Sequence, residues 1–393
     1  MTDALKIGIV GLGQQGDFYT NMFHGREVKP GITLPMLQGG QLIAVCDGDA
    51  EKRARIATEF PALAVYADYA EMLEQGGLDA VLIETPHYFH PQMAIDAMAR
   101  DIHVLVEKPA GVFTNDVQRM NDMAATKPDL KFAMMFNQRT NPLYQKLKAL
   151  VEDGAIGAIR FCDWTITNWW RPQGYYDMSA WRATWAGEGG GVLINQAPHQ
   201  IDLWQWICGV PETVFSKAGY GSQRDIAVED DVVAMVTYAG GATGVFRTCT
   251  HDLMGTDRFE ILGDRGKIIV EDSSKIILRS LSKPEREISD SMDPAAAADI
   301  FKGVIDLNDY ISEEVFEFDS VWGQQHYDVI QNFIDAIRTN APLIAEGREG
   351  IRALEITNAM HLSSWLEKEV SLPIDADLYE AELKARMRAE ASG

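Results

Sequence analysis

Lys6-Ile7-Gly8-Ile9-Val10-Gly11-Leu12-Gly13-Gln14-Gln15-Gly16 settles the architecture of this chain. Lys6 to Val10 reads as a buried strand, the glycine run follows at once, and Phe18 and Met22 then fall at helical spacing. A G-x-G-x-x-G set between a strand and a helix is a dinucleotide-binding turn. Gly11 makes the tight turn, Gly13 lets a pyrophosphate approach the backbone, and Gly16 lets helix and strand pack closely.

Working outward, a second strand over Gln41 to Cys46 ends at Asp47. A carboxylate there accepts hydrogen bonds from adenosine ribose hydroxyls and repels a 2′-phosphate. Asp47 lies farther from Gly11 than the usual ~20 residues. The excess falls in His24 to Gly40, which is rich in Gly and Pro and reads as a looped insertion. Gly48 follows Asp47, and Lys52 and Arg53 fall on the next helix, so NAD is expected in preference to NADP. Leu78 to Glu84 reads as a strand, His90 to Ala99 as a helix and His103 to Val106 as another strand. Such alternation predicts a parallel, doubly wound sheet.

Two strand ends, Thr85-Pro86 and Glu107-Lys108-Pro109, fall where open α/β sheets bind ligands. Lys108, constrained by Pro109, is placed to bind and polarise a reacting hydroxyl, and partial burial would lower its pKa. The run His87-Tyr88-Phe89-His90 lacks third and fourth ligands at metal spacing, and His90-Pro91 reads as a helix start. No metal is expected, and the run reads as structural or cofactor-lining.

The second organising stretch is Gly189-Gly190-Gly191-Val192-Leu193-Ile194-Asn195-Gln196-Ala197-Pro198-His199-Gln200-Ile201-Asp202. Pro198 marks a helix start and Gly209 its stop. His199 falls in the first turn, where the helix dipole disfavours the imidazolium. It reads either as a neutral proton acceptor or as a helix-start histidine bonded to nearby backbone.

Together these pieces, with Asn137-Gln138-Arg139, resemble the glucose–fructose oxidoreductase / inositol dehydrogenase / MocA (Gfo/Idh/MocA) family. The resemblance implies an α/β protein: an N-terminal Rossmann domain, then a C-terminal α/β domain with a large, mostly antiparallel open sheet. We place the first domain at 1–130 and the substrate-binding and oligomerisation domain at 131–393, with a late helix at about 349–366 packing back on the Rossmann half. The implied activity is NAD(P)-linked hydride transfer to or from a sugar, polyol or related hydroxy compound. The alternative is glycoside cleavage through transient oxidation of the sugar, with the hydride then returned. The expected cofactor-binding set is Gly11, Gly13, Gln14, Gln15, Gly16, Asp47, Thr85, Pro86, His90, Glu107 and Lys108. The family's catalytic lysine falls on Lys108, and its aspartate-x-x-x-histidine pair falls on Asn195 and His199. An amide at 195 orients a hydroxyl but does not titrate, so proton transfer rests on His199 and Lys108. Asp202, one helical turn on, reads either as an orienter of His199 or as a carboxylate favoured near a helix start.

Trp164, Trp169, Trp170, Trp181, Trp185, Trp204 and Trp206 crowd one stretch of chain. Trp169 to Tyr176 reads as a loop, and flat aromatic faces beside hydrogen-bonding groups suit a sugar ring. The expected substrate contacts are Lys108, Asn137, Trp164, Tyr176, Trp181, Arg182, Asn195, His199 and His326. Asn141-Pro142 opens a helix through Leu150, and short β patterns recur from Thr213 to Leu281. Ser282 to Glu314 reads as an irregular excursion, Gln325 to Ile337 as an amphipathic helix, and the charged tail from Asp375 as lying along a neighbour. The half-apolar sheet face that the resemblance leaves uncovered predicts a homo-oligomer, dimer or tetramer.

Composition bounds the rest. A formal net charge of −23 repels nucleic acid and anionic lipid. No apolar run approaches the roughly 18 residues of a membrane span. Cys46, Cys162, Cys208 and Cys249 are widely spaced, and Ile7 is reached without a basic-then-apolar leader, so a cytoplasmic setting is expected.

Overall fold

Strand β1 (Leu5–Val10) runs through the middle of a six-stranded parallel sheet, and Ile7 and Ile9 are fully buried, as a strand covered on both faces requires. The structure, a computed structural model, describes residues 4–392. After β1 come α1 (Gln14–Phe23), a small hairpin of β2 (Glu27–Lys29) and β3 (Ile32–Thr33), β4 (Gly40–Cys46), α2 (Ala50–Glu59), β5 (Ala64–Tyr66) and α3 (Tyr69–Gln75). Then follow β6 (Ala80–Ile83), α4 (His90–Met98), β7 (His103–Val106), α5 (Thr114–Ala125) and β8 (Phe132–Met134). The strand order β5-β4-β1-β6-β7-β8 is doubly wound about β1. Its last strand falls just past residue 130.

The insertion expected as a loop is partly the β2–β3 hairpin. It is held by Gln38, whose N–H donates to Gln331 Oε1 at 2.8 Å and whose carbonyl accepts from Gln331 Nε2 at 3.1 Å.

Helix α6 (Pro142–Glu152), capped by the Asn141 side chain, leads into the second lobe. There β9 (Ile159–Ile166), α7 (Gln173–Asp177), α8 (Pro198–Cys208), β10 (Thr213–Tyr220), β11 (Glu229–Thr237), β12 (Thr243–Cys249), β13 (Asp257–Gly263), β14 (Gly266–Glu271) and β15 (Lys275–Leu281) follow. The stretch expected as an irregular excursion holds α9 (Glu285–Asp290) and α10 (Pro294–Phe301), then the edge strand β16 (Ile311–Glu317). The chain ends with α11 (Gln324–Thr339), α12 (Gly350–Leu366), β17 (Val370–Ser371) and α13 (Ala376–Glu390).

The second sheet has nine strands in the order β16-β15-β14-β13-β9-β12-β11-β10-β17, antiparallel throughout except for the parallel β9–β12 pair. Leu143 and Leu147 of α6 and Ile201, Leu203 and Trp204 of α8 join its buried face. On the other face Phe215, Val233 and Met235 stand exposed, the alternation that a one-sided sheet dictates.

Helix α11 lies against the Rossmann sheet, where Val329, Ile330, Phe333 and Ile334 share a core with Ile7 and Ile9. The late helix forms as α12 and sits between the lobes. Asn358 Nδ2 donates to Val112 O and Thr114 Oγ1, whereas Met360 O accepts from Ser216 Oγ on β10. The charged tail is α13, and it packs on its own chain. Tyr379 and Leu383 are fully buried, and the Glu390 carboxylate accepts from the N–H groups of Trp185 and Ala186, both at 3.0 Å.

Candidate active site

The glycine turn between β1 and α1 has the shape a dinucleotide needs. Gly11 holds φ +94°, and a Cβ there would lie 2.6 Å from the Glu84 carbonyl oxygen. A Cβ at Gly16 would lie 1.9 Å from Gly11 O, so no larger residue fits beside the turn. A Cβ at Gly13 would instead project into open space, with nothing beyond the adjoining residues within 4 Å, and no side chain caps α1. The first N–H groups of the helix therefore face outward, the arrangement that binds phosphate. Asp47, at the end of β4, accepts from Leu12 N at 2.7 Å and Asp49 N at 2.8 Å, which fixes its carboxylate beside the turn. Lys52 Nζ lies 3.5 Å from Asp47 Oδ2, and Arg53 donates to the Asp47 carbonyl. These residues fit the adenosine and pyrophosphate parts of a nicotinamide dinucleotide.

The ends of β6 and β7 are fastened together by His90. Its Nδ1 lies 2.8 Å from Pro109 O and its Nε2 2.6 Å from Thr85 O. With both nitrogens engaged and the ring buried, His90 positions Thr85 and Pro109 and keeps no nitrogen for a cofactor, which corrects its expected direct role. Glu107 is likewise turned inward, accepting from Tyr19 Oη at 2.5 Å and from Lys108 N at 3.0 Å. Its neighbour Glu84 has no hydrogen-bond partner for either carboxylate oxygen. Burial raises the pKa of both groups, and the Glu107 charge raises that of Glu84 further.

Lys108 reaches across the cleft. Its ammonium donates to the Asn195 carbonyl at 3.0 Å, joining the first lobe to the Gly189–Asp202 stretch. Burial lowers the Lys108 pKa, with Glu107 and Glu188 opposing. His199 follows Pro198 in the first turn of α8, and its Nδ1 is buried without a partner. Its pKa is held well below the ordinary histidine value, first by burial, then by the Lys108 and His326 charges. His326, from α11, lies 3.0 Å from Asn137 Nδ2, and burial followed by Lys108 takes its pKa down to about 4. Lys108, Asn195, His199, His326 and Asn137 thus meet in one place, drawn from both lobes.

The aromatic expectations divide. Trp164 is fully buried in β9, stacked on Phe259 at 4.4 Å with its indole N–H donating to Asp257. It is core, because Cys162, Trp164 and Ile166 share the inward face of the strand, and it is withdrawn as a substrate contact. Tyr176 is also largely buried, its hydroxyl donating to Thr250 Oγ1 at 3.0 Å. Trp181 remains partly exposed, edge-on to His87 with ring centroids 6.4 Å apart, and Arg182 lies over its ring.

Asp202 does not orient His199. It forms a buried two-point pair with Arg139, whose guanidinium also reaches Glu349. The carboxylate that sequence reading missed is Glu188. It is buried, accepts from Asn195 Nδ2 and from Ala183 N, and its carbonyl lies 3.0 Å from His87 Nδ1. Glu229 was missed too: its Oε1 accepts from Gly191 N and Leu193 N, clamping the glycine stretch. A carboxylate inside the glycine run Gly187–Gly191 was the available signal for Glu188.

Lobes arranged in this way are those of a nicotinamide-dependent oxidoreductase. The chain belongs to the Gfo/Idh/MocA family: residues 5–135 match the oxidoreductase family's NAD-binding Rossmann fold, and residues 144–269 match its C-terminal domain. Among curated relatives, myo-inositol 2-dehydrogenase of Thermotoga maritima is 26% identical over 272 residues, 68% of this chain and 75% of the relative. Levoglucosan dehydrogenase of Pseudarthrobacter phenanthrenivorans is 25% identical over 292 residues, 67% of this chain and 73% of the relative. Among solved structures, the WlbA dehydrogenase of Chromobacterium violaceum, in complex with NADH and UDP-GlcNAcA, is 27% identical. It superposes with a TM-score of 0.75 over 95% of this chain and 98% of its own. No described helix is long and apolar enough to cross a membrane.

Proposed function

We propose that the protein transfers a hydride between a hydroxyl-bearing carbon of a sugar, polyol or related hydroxy compound and NAD. The observation that carries this reading is the Lys108 ammonium at the Asn195 carbonyl, beside the unpartnered His199 Nδ1. The relatives' substrates, inositol and levoglucosan, support a polyhydroxylated compound. Bound nicotinamide supplies the hydride acceptor or donor.

The chain's own groups do the rest. His199, neutral because its imidazolium would be buried among like charges, accepts the hydroxyl proton. Lys108 lies against the developing alkoxide and stabilises it, its positive charge desolvated and therefore strong. Asn195 orients the hydroxyl, and Glu188 in turn holds the Asn195 amide. Asp47 at the end of β4 favours a free ribose 2′-hydroxyl and so supports NAD over NADP.

The same reading assigns the dinucleotide to residues 1–130 with β8, and substrate binding and self-association to the remainder. The exposed Phe215, Val233 and Met235 support a homodimer or homotetramer built through the open sheet face. Four free cysteines support a reducing, cytoplasmic setting. The test is to mix purified protein, NAD+ and a panel of sugars and polyols and to follow NADH absorbance. His199→Ala should lower kcat by about 10²–10⁴-fold, and full activity in that variant would remove the base assignment.

A further inference from the structure

Arg171, Arg182 and Arg224 gather beside the substrate side of the cleft without a carboxylate partner. In a chain with 58 acidic and 35 basic residues, a buried or half-buried arginine ordinarily finds an acid, as Arg139 does. None of these three makes an ion pair within 4 Å among the described residues. The Arg182 guanidinium carbon lies 4.6 Å from the centre of the Tyr175 ring and the Arg171 carbon 5.1 Å from the same ring. Two like charges on one ring repel, and the ring quadrupole offsets only part of that.

Their donors are mostly unspent. Arg182 Nη1 donates to Tyr175 Oη at 2.6 Å, whereas its Nε is buried with no acceptor. Arg171 uses one N–H on the Trp170 carbonyl, and Arg224 braces the group by donating to Arg171 O and Gln223 O. A guanidinium carries five N–H groups in a rigid fork that matches a carboxylate or phosphate. Glu188, a buried acid whose charge Arg182 feels, is already held by Asn195 and Ala183. The cluster belongs to the same cleft as Lys108, whose charge feels both Arg171 and Arg182.

We propose that the substrate carries an anionic group, a carboxylate or a phosphate, remote from the reacting carbon and bound by the unspent N–H groups of Arg182 and Arg171 beside Tyr175. This rests on the reading that the cleft oxidises a hydroxy compound, and it narrows that class to sugar acids or sugar phosphates. The hydroxyl end lies toward Lys108 and His199, the anionic end toward residues 171–182.

The test uses NAD+-loaded protein titrated calorimetrically with D-gluconate, D-galacturonate, D-glucose 6-phosphate, D-glucose and myo-inositol, with NADH formation followed in parallel. At least one anion should bind about tenfold or more tightly than the neutral compounds, as charge-assisted hydrogen bonds imply. The carboxylate and phosphate arms identify which anion it is. Arg182→Met should weaken the anion far more than the neutral sugars, so that the ratio of their affinities falls toward one, and Arg182→Lys should retain part of the preference. Added sodium chloride should weaken the anion alone in the wild-type protein, a readout that needs no variant. Equal binding of neutral and anionic compounds, or an equal loss for both in Arg182→Met, overturns the anion site while leaving the dehydrogenase reading intact. Arg182-dependent gluconate binding with no NADH from any compound would instead sustain the anion site and overturn the dehydrogenase reading.

Discussion

Arg139 and Asp202 face each other across the interior with two hydrogen bonds, 2.8 Å from Nε and 2.7 Å from Nη2, and both side chains are 1% exposed. The pair ties the Asn137-Gln138-Arg139 turn to the first half of α8, the helix that opens with Pro198 and His199. Removing Asp202 leaves the buried Arg139 guanidinium with only the partly exposed Glu349 as its counter-charge and strips its Nε and Nη2 of acceptors. Asp202→Ala should therefore destabilise the fold by about 3–5 kcal/mol, measured by urea unfolding. The pH profile of the remaining activity should not move. A shifted profile without loss of stability would return Asp202 to His199.

Glu188 is a positioning residue, since it reaches the reacting hydroxyl only through Asn195. Glu188→Gln keeps the size and removes the charge that faces Lys108. Loss of an orienting second contact typically costs about 10–100-fold, and here it should appear in kcat while the KM for NAD stays unchanged. Because Glu188 opposes the depression of the Lys108 pKa, the alkaline limb of the profile should also move to lower pH in this variant. A purely structural role would lower the folded fraction and leave that limb in place.

The pH dependence of the wild type follows from the two active groups. His199 is held well below 6.5, so kcat/KM for oxidation should stay level from neutrality down past the ordinary histidine range before falling. Lys108 is lowered from 10.5, so the alkaline loss should set in below the usual lysine value. An acid limb centred on 6.5 would show that burial and the Lys108 charge do not depress the group that accepts the proton.

Acid should also unfold the protein through its buried histidines. His87 is lowered to about 3 and His326 to about 4, each chiefly by burial, against 6.5 for the free group. Between those values the unfolded chain holds protons that the folded chain refuses. Stability is therefore complete above pH 6.5 and declines as pH falls toward 4 and then 3. Thermal melts across this range should show the decline, and His326→Gln should flatten part of it.

The glycine turn, the alternating strands of the first lobe and the Pro198 helix start were legible because each is a local demand of the backbone. A residue at φ +94° beside a carbonyl can only be glycine, whatever the distant chain does. The approach of Lys108 to Asn195 was legible only through resemblance, since no spacing rule connects residues on different lobes. Glu188 escaped because a carboxylate in a glycine run resembles a solvated turn, and only the fold reveals that Asn195 and Ala183 surround it. Trp164 was misplaced by counting aromatics along the chain rather than by strand parity. Cys162, Trp164 and Ile166 at alternate positions already marked an inward face.

The straddling helix α12 has a consequence for how the molecule comes apart. Val81 and Val106 of the parallel sheet, Val112 and Phe136 beside it, and Trp204 and Val232 of the second sheet belong to one unbroken apolar cluster. Cutting the chain between the lobes would open that cluster to water on both sides. Calorimetry should therefore record one melting endotherm for the intact protein, and neither half expressed alone should stay soluble. The lobes are two in topology and one in thermodynamics.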